Sequence, residues 1–172
     1  MLTSAQLDKP IVDSDLQREI EHFLSYEAHL LDTNQLEAWD SLFTEDGMYW
    51  IPLEHGQEDP VGMVSIAYED AILRDVRIRR LAERHAWSQQ PPTISTHQVT
   101  NAIVTAHDPA AGTLTVRSRF QVVEWRKRNF LRHLAGGYVH DLVKIGEQWR
   151  IKLKRVDLVN CDGVHDNFEL FV

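Results

Sequence analysis

Between Leu114 and Val122 the chain alternates strictly: Leu114, Val116, Ser118, Phe120 and Val122 on one parity, Thr115, Arg117, Arg119 and Gln121 on the other. A period of two predicts an extended strand with one wet face. The same pattern recurs at Gln148 to Asn160, where Trp149, Ile151 and Leu153 oppose Arg150, Lys152 and Lys154. There the phase slips at Arg155, so that Val156 and Leu158 share the parity of the basic residues, which predicts a bulge. Gly146-Glu147 reads as a hairpin turn joining this strand to Tyr138–Ile145, and Gly136-Gly137 opens that neighbour. His97 to Ala106, rich in Val, Ile and Thr, predicts one more strand, turned back by residues 108–112. At Val123 and Trp125 the alternation breaks, which predicts a bulge or an interface near Glu124.

The first half has a different period. Leu16, Ile20, Phe23, Glu27 and Leu30 or Leu31 recur at spacings of three and four, predicting an amphipathic helix that ends near Leu31. Ser14 and Gln17 fit a capping box at its start. A second helix is expected from Asn34 to Phe43, stopped by Glu45-Asp46-Gly47. Met48 to Leu53 predicts a strand whose Pro52 confines it to an edge or to the strand's end. Residues 61–68 predict a further strand, and 69–82 a helix with a narrow apolar stripe of Ala71, Leu73, Val76 and Leu81. Trp87 to Pro92 reads as a stiff connector. Residues 1–12 lack periodicity and are expected to be an arm, leaving 13–172 as a single domain. Helices first and a run of strands afterwards make an α+β layout, with the helices covering one face of a bent sheet.

Charge and composition narrow the function. A net charge of −8 over 172 residues argues against nucleic-acid binding, which draws its affinity from Lys and Arg on phosphates. Arginines do cluster at 74, 77, 79, 80 and 84, where a solvated helix face and a protein partner are both open readings. The single cysteine, Cys161, excludes an internal disulfide, a Cys-x-x-Cys redox pair, the usual structural zinc sites and the two thiolates of a Rieske centre. With no signal-like N-terminus and no apolar run of membrane length, a cytoplasmic setting is expected. Dinucleotide, P-loop, zincin and serine-hydrolase motifs are missing.

Nine histidines leave acid–base chemistry open. Asp46, Tyr49, His97 and His140 are the residues that a cone-shaped pocket would have to gather, with a histidine moving a proton and a carboxylate orienting it. The plainer alternative is histidines bonded to backbone. No spacing suggests metal ligands, so neither a metal nor a bound cofactor is expected in this chain.

Several short motifs, in order, resemble the small (β) subunit of aromatic-ring-hydroxylating, Rieske-type dioxygenases. They are Leu30-Leu31-Asp32 leading to Trp39; Leu42-Phe43-Thr44-Glu45-Asp46 with Tyr49-Trp50; Asp75 and Arg77 before Leu81; Trp87 with Pro91-Pro92; and His97 with Asn101. Trp149-Arg150-Ile151 running into Lys154 to Asn160 completes the set. The resemblance implies an NTF2-like (cystatin-like) cone, with N-terminal helices packed on a strongly curved antiparallel or mixed sheet. It implies a non-catalytic subunit that supports a large subunit, commonly as α3β3 on a trimeric base. The partner would hold the Rieske 2Fe–2S cluster and mononuclear iron, with NAD(P)H supplying electrons through a reductase. Arg77, Arg80, Trp87, Trp125, Arg155 and Asp157 are the expected interface residues, with an internal Arg155–Asp157 ion pair as the alternative. The reading from a different class is a stand-alone dehydratase or isomerase using a His–Asp pocket; a binding module with an apolar cavity would lack the convergent acid and base.

Overall fold

The computed structural model describes residues 10–83, 93–126, 130–165, 168 and 170–172. Its elements run α1 (Ser14–Asp32), α2 (Leu36–Asp40), β1 (Phe43–Pro52), β2 (Ser65–Glu69), α3 (Ala71–Ala82), β3 (Thr93–Asp108), β4 (Thr113–Arg126), β5 (Phe130–Ile145) and β6 (Gln148–Leu158). The strands form one six-stranded mixed sheet in the order β2-β1-β6-β5-β4-β3. Every neighbouring pair is antiparallel except β1 and β6, which run parallel. β3 to β6 follow one another as hairpins, turned at Gly112 (φ 65°) and Gly146 (φ 63°), where the left-handed backbone suits glycine.

α1 lies along β3. Near its start Gln17 Nε2 donates to the Ala102 carbonyl at 2.7 Å, and at its end Asp32 holds His97. Ile11 N–H donates to the Val104 carbonyl at 2.9 Å, tying down the residues that precede the helix. β3 is bent at Asn101 (φ 53°), where its register with β4 shifts. Such a bulge sharpens the local twist and helps curl the sheet around the helix. Between helices and sheet lies the core, which includes Ile20, Leu24, Trp39, Tyr49, Val116, Phe120, Tyr138, Ile151 and Val156. Phe171 closes one side of it, 4.4 Å from the Trp39 ring and 5.4 Å from Tyr49.

Several expectations are corrected. On α3 the buried residues are Arg74 and Ile78, while Leu73 and Val76 of the expected stripe are exposed, and the strand expected from 61 begins at Ser65. The cap of α1 is Asp13, which accepts from Asp15 and Leu16 N–H at 3.1 and 3.0 Å; the Ser14–Gln17 box does not form it. The second helix stops at Asp40 and Phe43 already belongs to β1, because Ile151 N–H bonds the Leu42 carbonyl and draws this stretch onto β6. Residues 45–47 are therefore an irregularity inside β1, and Gly47 is needed there because a Cβ would stand 2.6 Å from the Ile151 carbonyl. In β6 the phase slips near Lys152, earlier than Arg155, so Lys154 turns inward and Leu153 does not. No bulge occurs at Glu124: β4 and β5 stay in register from end to end, and Glu124 and Arg126 take the inward positions.

Candidate functional site

The inward turn of Lys154 brings together a buried charged group that spans helix and sheet. Glu27 (2% exposed) projects from α1 at a position in its apolar stripe. Its Oε1 accepts from Lys154 Nζ at 2.8 Å and from Trp39 Nε1 at 3.1 Å, while Oε2 faces His140 Nε2 at 3.1 Å. Lys154 also stands 4.5 Å from the Tyr138 ring centroid, a cation–π contact in a dry setting. Burial alone would push the Glu27 carboxyl up, but Lys154 and His140 override it and hold the group well below the usual carboxylate range. Tyr49 and Tyr138 are pushed the other way, chiefly by burial.

The sign of the Glu27 shift fixes a pH dependence. A folded-state value below the ordinary 4.5 gives stability that is complete above that pH and lost as pH falls below it. Glu69, raised by burial although Arg77 pulls it down, acts in the opposite sense. Urea midpoints at about pH 7 and about pH 3.5 should therefore differ more in the native chain than in a Glu27→Leu/Lys154→Met variant, which keeps Glu69.

Of the four acid–base candidates, the structure unites none with its intended partner. Asp46 is exposed and bonded to Lys152 and, at 2.9 Å, to Thr44, which lower its carboxyl. Tyr49 donates its hydroxyl to the Val172 carbonyl at 3.3 Å and accepts from Val172 N–H at 3.0 Å. His97 pairs with Asp32: Nδ1 lies 2.6 Å from Oδ1, and the same carboxylate takes the His97 backbone N–H. His140 sits in the Glu27 group. A groove of about 920 Å³, lined by Thr44, Asp46, Thr115, Asp141, Val143 and Lys152 among others, contains Asp46 but not Tyr49, His97 or His140. The interior that holds the other three is lined by the buried side chains of Trp39, Tyr138, Phe120 and Phe171. Sequence reasoning overlooked Glu27, Asp32 and Lys154 as partners. The available signal was a glutamate standing in an otherwise apolar helical stripe.

The expected interface residues divide. Arg77 is largely buried, paired with Glu69 and 4.8 Å from the Phe171 ring centroid. Arg155 bonds Asp157 at 2.8 Å and lies 4.4 Å from the Trp50 ring centroid, so the internal ion pair is present. Arg80 and Trp125 are exposed, Trp125 at 45%. Trp87 lies outside the described residues. Within the arginine cluster Arg74 is not solvated: 1% exposed, it donates to Asp40 at 2.7 Å and to the Gly47 carbonyl at 2.6 Å.

Residues 26–162 match the family model described as the ring hydroxylating beta subunit. The chain belongs to that family. This β subunit is 30% identical over 139 residues to the benzene 1,2-dioxygenase subunit beta of Pseudomonas putida, covering 76% of this chain and 74% of that one. It is 29% identical over 175 residues to the biphenyl 2,3-dioxygenase subunit beta of Rhodococcus jostii, covering 96% and 93%. The solved beta subunit of benzoate 1,2-dioxygenase from Burkholderia mallei shares its fold with a TM-score of 0.71 at 22% identity, over 95% of this chain and 99% of that one. The α+β, NTF2-like cone expected from sequence is thus the fold of this β subunit. Among the described residues, no helix is long and apolar enough to cross a membrane.

Proposed function

We infer that this β subunit is a structural, non-catalytic component of an aromatic-ring-hydroxylating dioxygenase, assembled with a large α subunit. The observation that carries the reading is the interior, where buried aromatic side chains surround a paired Glu27–Lys154–His140 group. Where a cone-fold enzyme needs a polar cavity with an acid and a base, this chain has a salt-bridged group closed in by aromatic rings. The donor set agrees in part: with one cysteine the chain cannot supply the two thiolates of a Rieske cluster. The resemblance to ring-hydroxylating dioxygenases assigns that cluster and the mononuclear iron to the α subunit. NAD(P)H then feeds electrons through a separate reductase, and the assembly is a cytoplasmic α3β3 with the β chains as a trimeric base. The dehydratase or isomerase reading loses the His97–Asp46 pocket it rested on, because Asp46 is bonded to Lys152 at the surface, in a groove that His97 does not line.

Co-expression with a Rieske-type large subunit, followed by size measurement, tests the assembly; two chains that never co-purify would overturn it. Trp125→Glu adds a sharper expectation. An exposed tryptophan is the kind of residue that anchors an interface, whereas a surface change of this sort alters stability by only about 0.5 kcal/mol. The variant should fold normally and lose large-subunit recovery or self-association in the size measurement.

A further inference from the structure

The loop between β1 and β2 meets the turn after β6 at a set of donor atoms that the subunit role does not use. His55 from the loop, with Cys161 and Asp162 from the turn, offers an imidazole nitrogen, a thiol sulfur and a carboxylate oxygen, all within 4.8 Å of one another. His55 Nε2 stands 3.8 Å from Asp162 Oδ1. These two side chains are 60% and 70% exposed, and an ion pair that open to water adds little stability by itself. Beneath them Cys161 is buried.

Both segments are held independently of any cation. Buried Gln57 accepts from Leu53 N–H at 3.0 Å and donates to the Asp59 carbonyl and to Ser65 Oγ, each at 3.2 Å, which fixes the loop that carries His55. The turn is fixed by Val159 N–H on the Ala135 carbonyl at 3.0 Å and by Gly163 N–H on the Asn160 carbonyl at 2.9 Å. A cavity of about 210 Å³, lined by Glu54, His55, Cys161 and others, opens beside the three donors. Arg155 borders it too, but its charge is met by Asp157.

We propose that His55, Cys161 and Asp162 form a binding site for a borderline-soft divalent cation of the zinc type, joining the β1–β2 loop to the turn after β6. Mixed nitrogen, sulfur and oxygen donors suit such an ion, and ligands about 2.0–2.3 Å from a tetrahedral centre stand roughly 3.3–3.8 Å apart. The exposed His55 and Asp162 side chains close that gap by rotating inward over the fixed sulfur. The thiol gives its proton to solvent on binding, so thiolate and carboxylate together balance the 2+ charge. The fourth position faces the cavity and takes water. Such a site, close to Arg155 and Asp157, would stiffen one corner of the subunit without entering ring chemistry.

The test uses the full-length chain, stripped with chelator and titrated with Co²⁺, then Zn²⁺. One equivalent of Co²⁺ should produce a thiolate-to-cobalt charge-transfer band that Zn²⁺ abolishes, and Zn²⁺ should slow the reaction of Cys161 with a thiol reagent. His55→Ala and Asp162→Ala, both at exposed positions, should each weaken binding by about tenfold or more. Cys161→Ser should remove the band; if that core change unfolds the chain, the two exposed variants decide the question. Binding with no sulfur band, as scattered surface histidines would give, overturns the proposal. So does a band indifferent to both exposed variants, or no binding.

Discussion

Glu27→Leu should lower the free energy of unfolding by about 3–5 kcal/mol, read from urea denaturation followed by circular dichroism. Glu27 is the only acidic group bonded to Lys154 and His140 in the described interior, and both partners are fully enclosed. Removing the carboxylate leaves an ammonium with no counter-charge where water does not reach, and it strips the Trp39 indole N–H of its acceptor. A double change, Glu27→Leu with Lys154→Met, should recover most of that loss, because burying two charges costs solvation that apolar side chains of similar size do not. If the single and double variants proved equally unstable, packing around position 27 would be the cause, and charge would not.

Arg74→Met should cost about 3 kcal/mol in the same measurement. Arg74 ties three elements: its guanidinium, carried on α3, reaches Asp40 at the end of α2 and the Gly47 carbonyl in the irregular part of β1, and lies 4.0 Å from the Phe43 ring centroid. Methionine fills much of the space but leaves the Gly47 carbonyl and Asp40 without this donor. Arg80→Met on the same helix is the control: exposed, it should change stability by no more than about 0.5 kcal/mol. Equal effects at the two positions would mean that α3 propensity, and not the bonds of Arg74, decides the outcome.

The strands were legible wherever hydrophobicity and direction agree. Leu114 to Val122 gave β4 its inner face correctly, and the glycines at 112 and 146 placed two hairpin turns. Reading failed where a charged residue faces inward. Glu124, Arg126 and Lys154 carry polar labels, so a count of apolar positions sees a broken pattern where the backbone continues, or shifts the break by two or three residues. The candidate site suffered from the same blindness. Lys154 and His140 are interior only because Glu27, on a distant helix, meets them there, and pairing across such sequence separation leaves no local trace. The second helix was overextended for a related reason: β6, far along the chain, pulls Phe43 into a strand. The family motifs, by contrast, were legible because they record order along the chain and not side-chain direction.

The parallel contact between β1 and β6 has a consequence for biosynthesis. β1 and β2 leave the ribosome with only each other to pair with, and the strand that must sit beside β1 is made last of the six. Closing so distant a contact is slow, and until then β1 exposes Trp50 and Ile51 along an open backbone edge. The nascent subunit is therefore expected to be most prone to aggregation before β6 is complete.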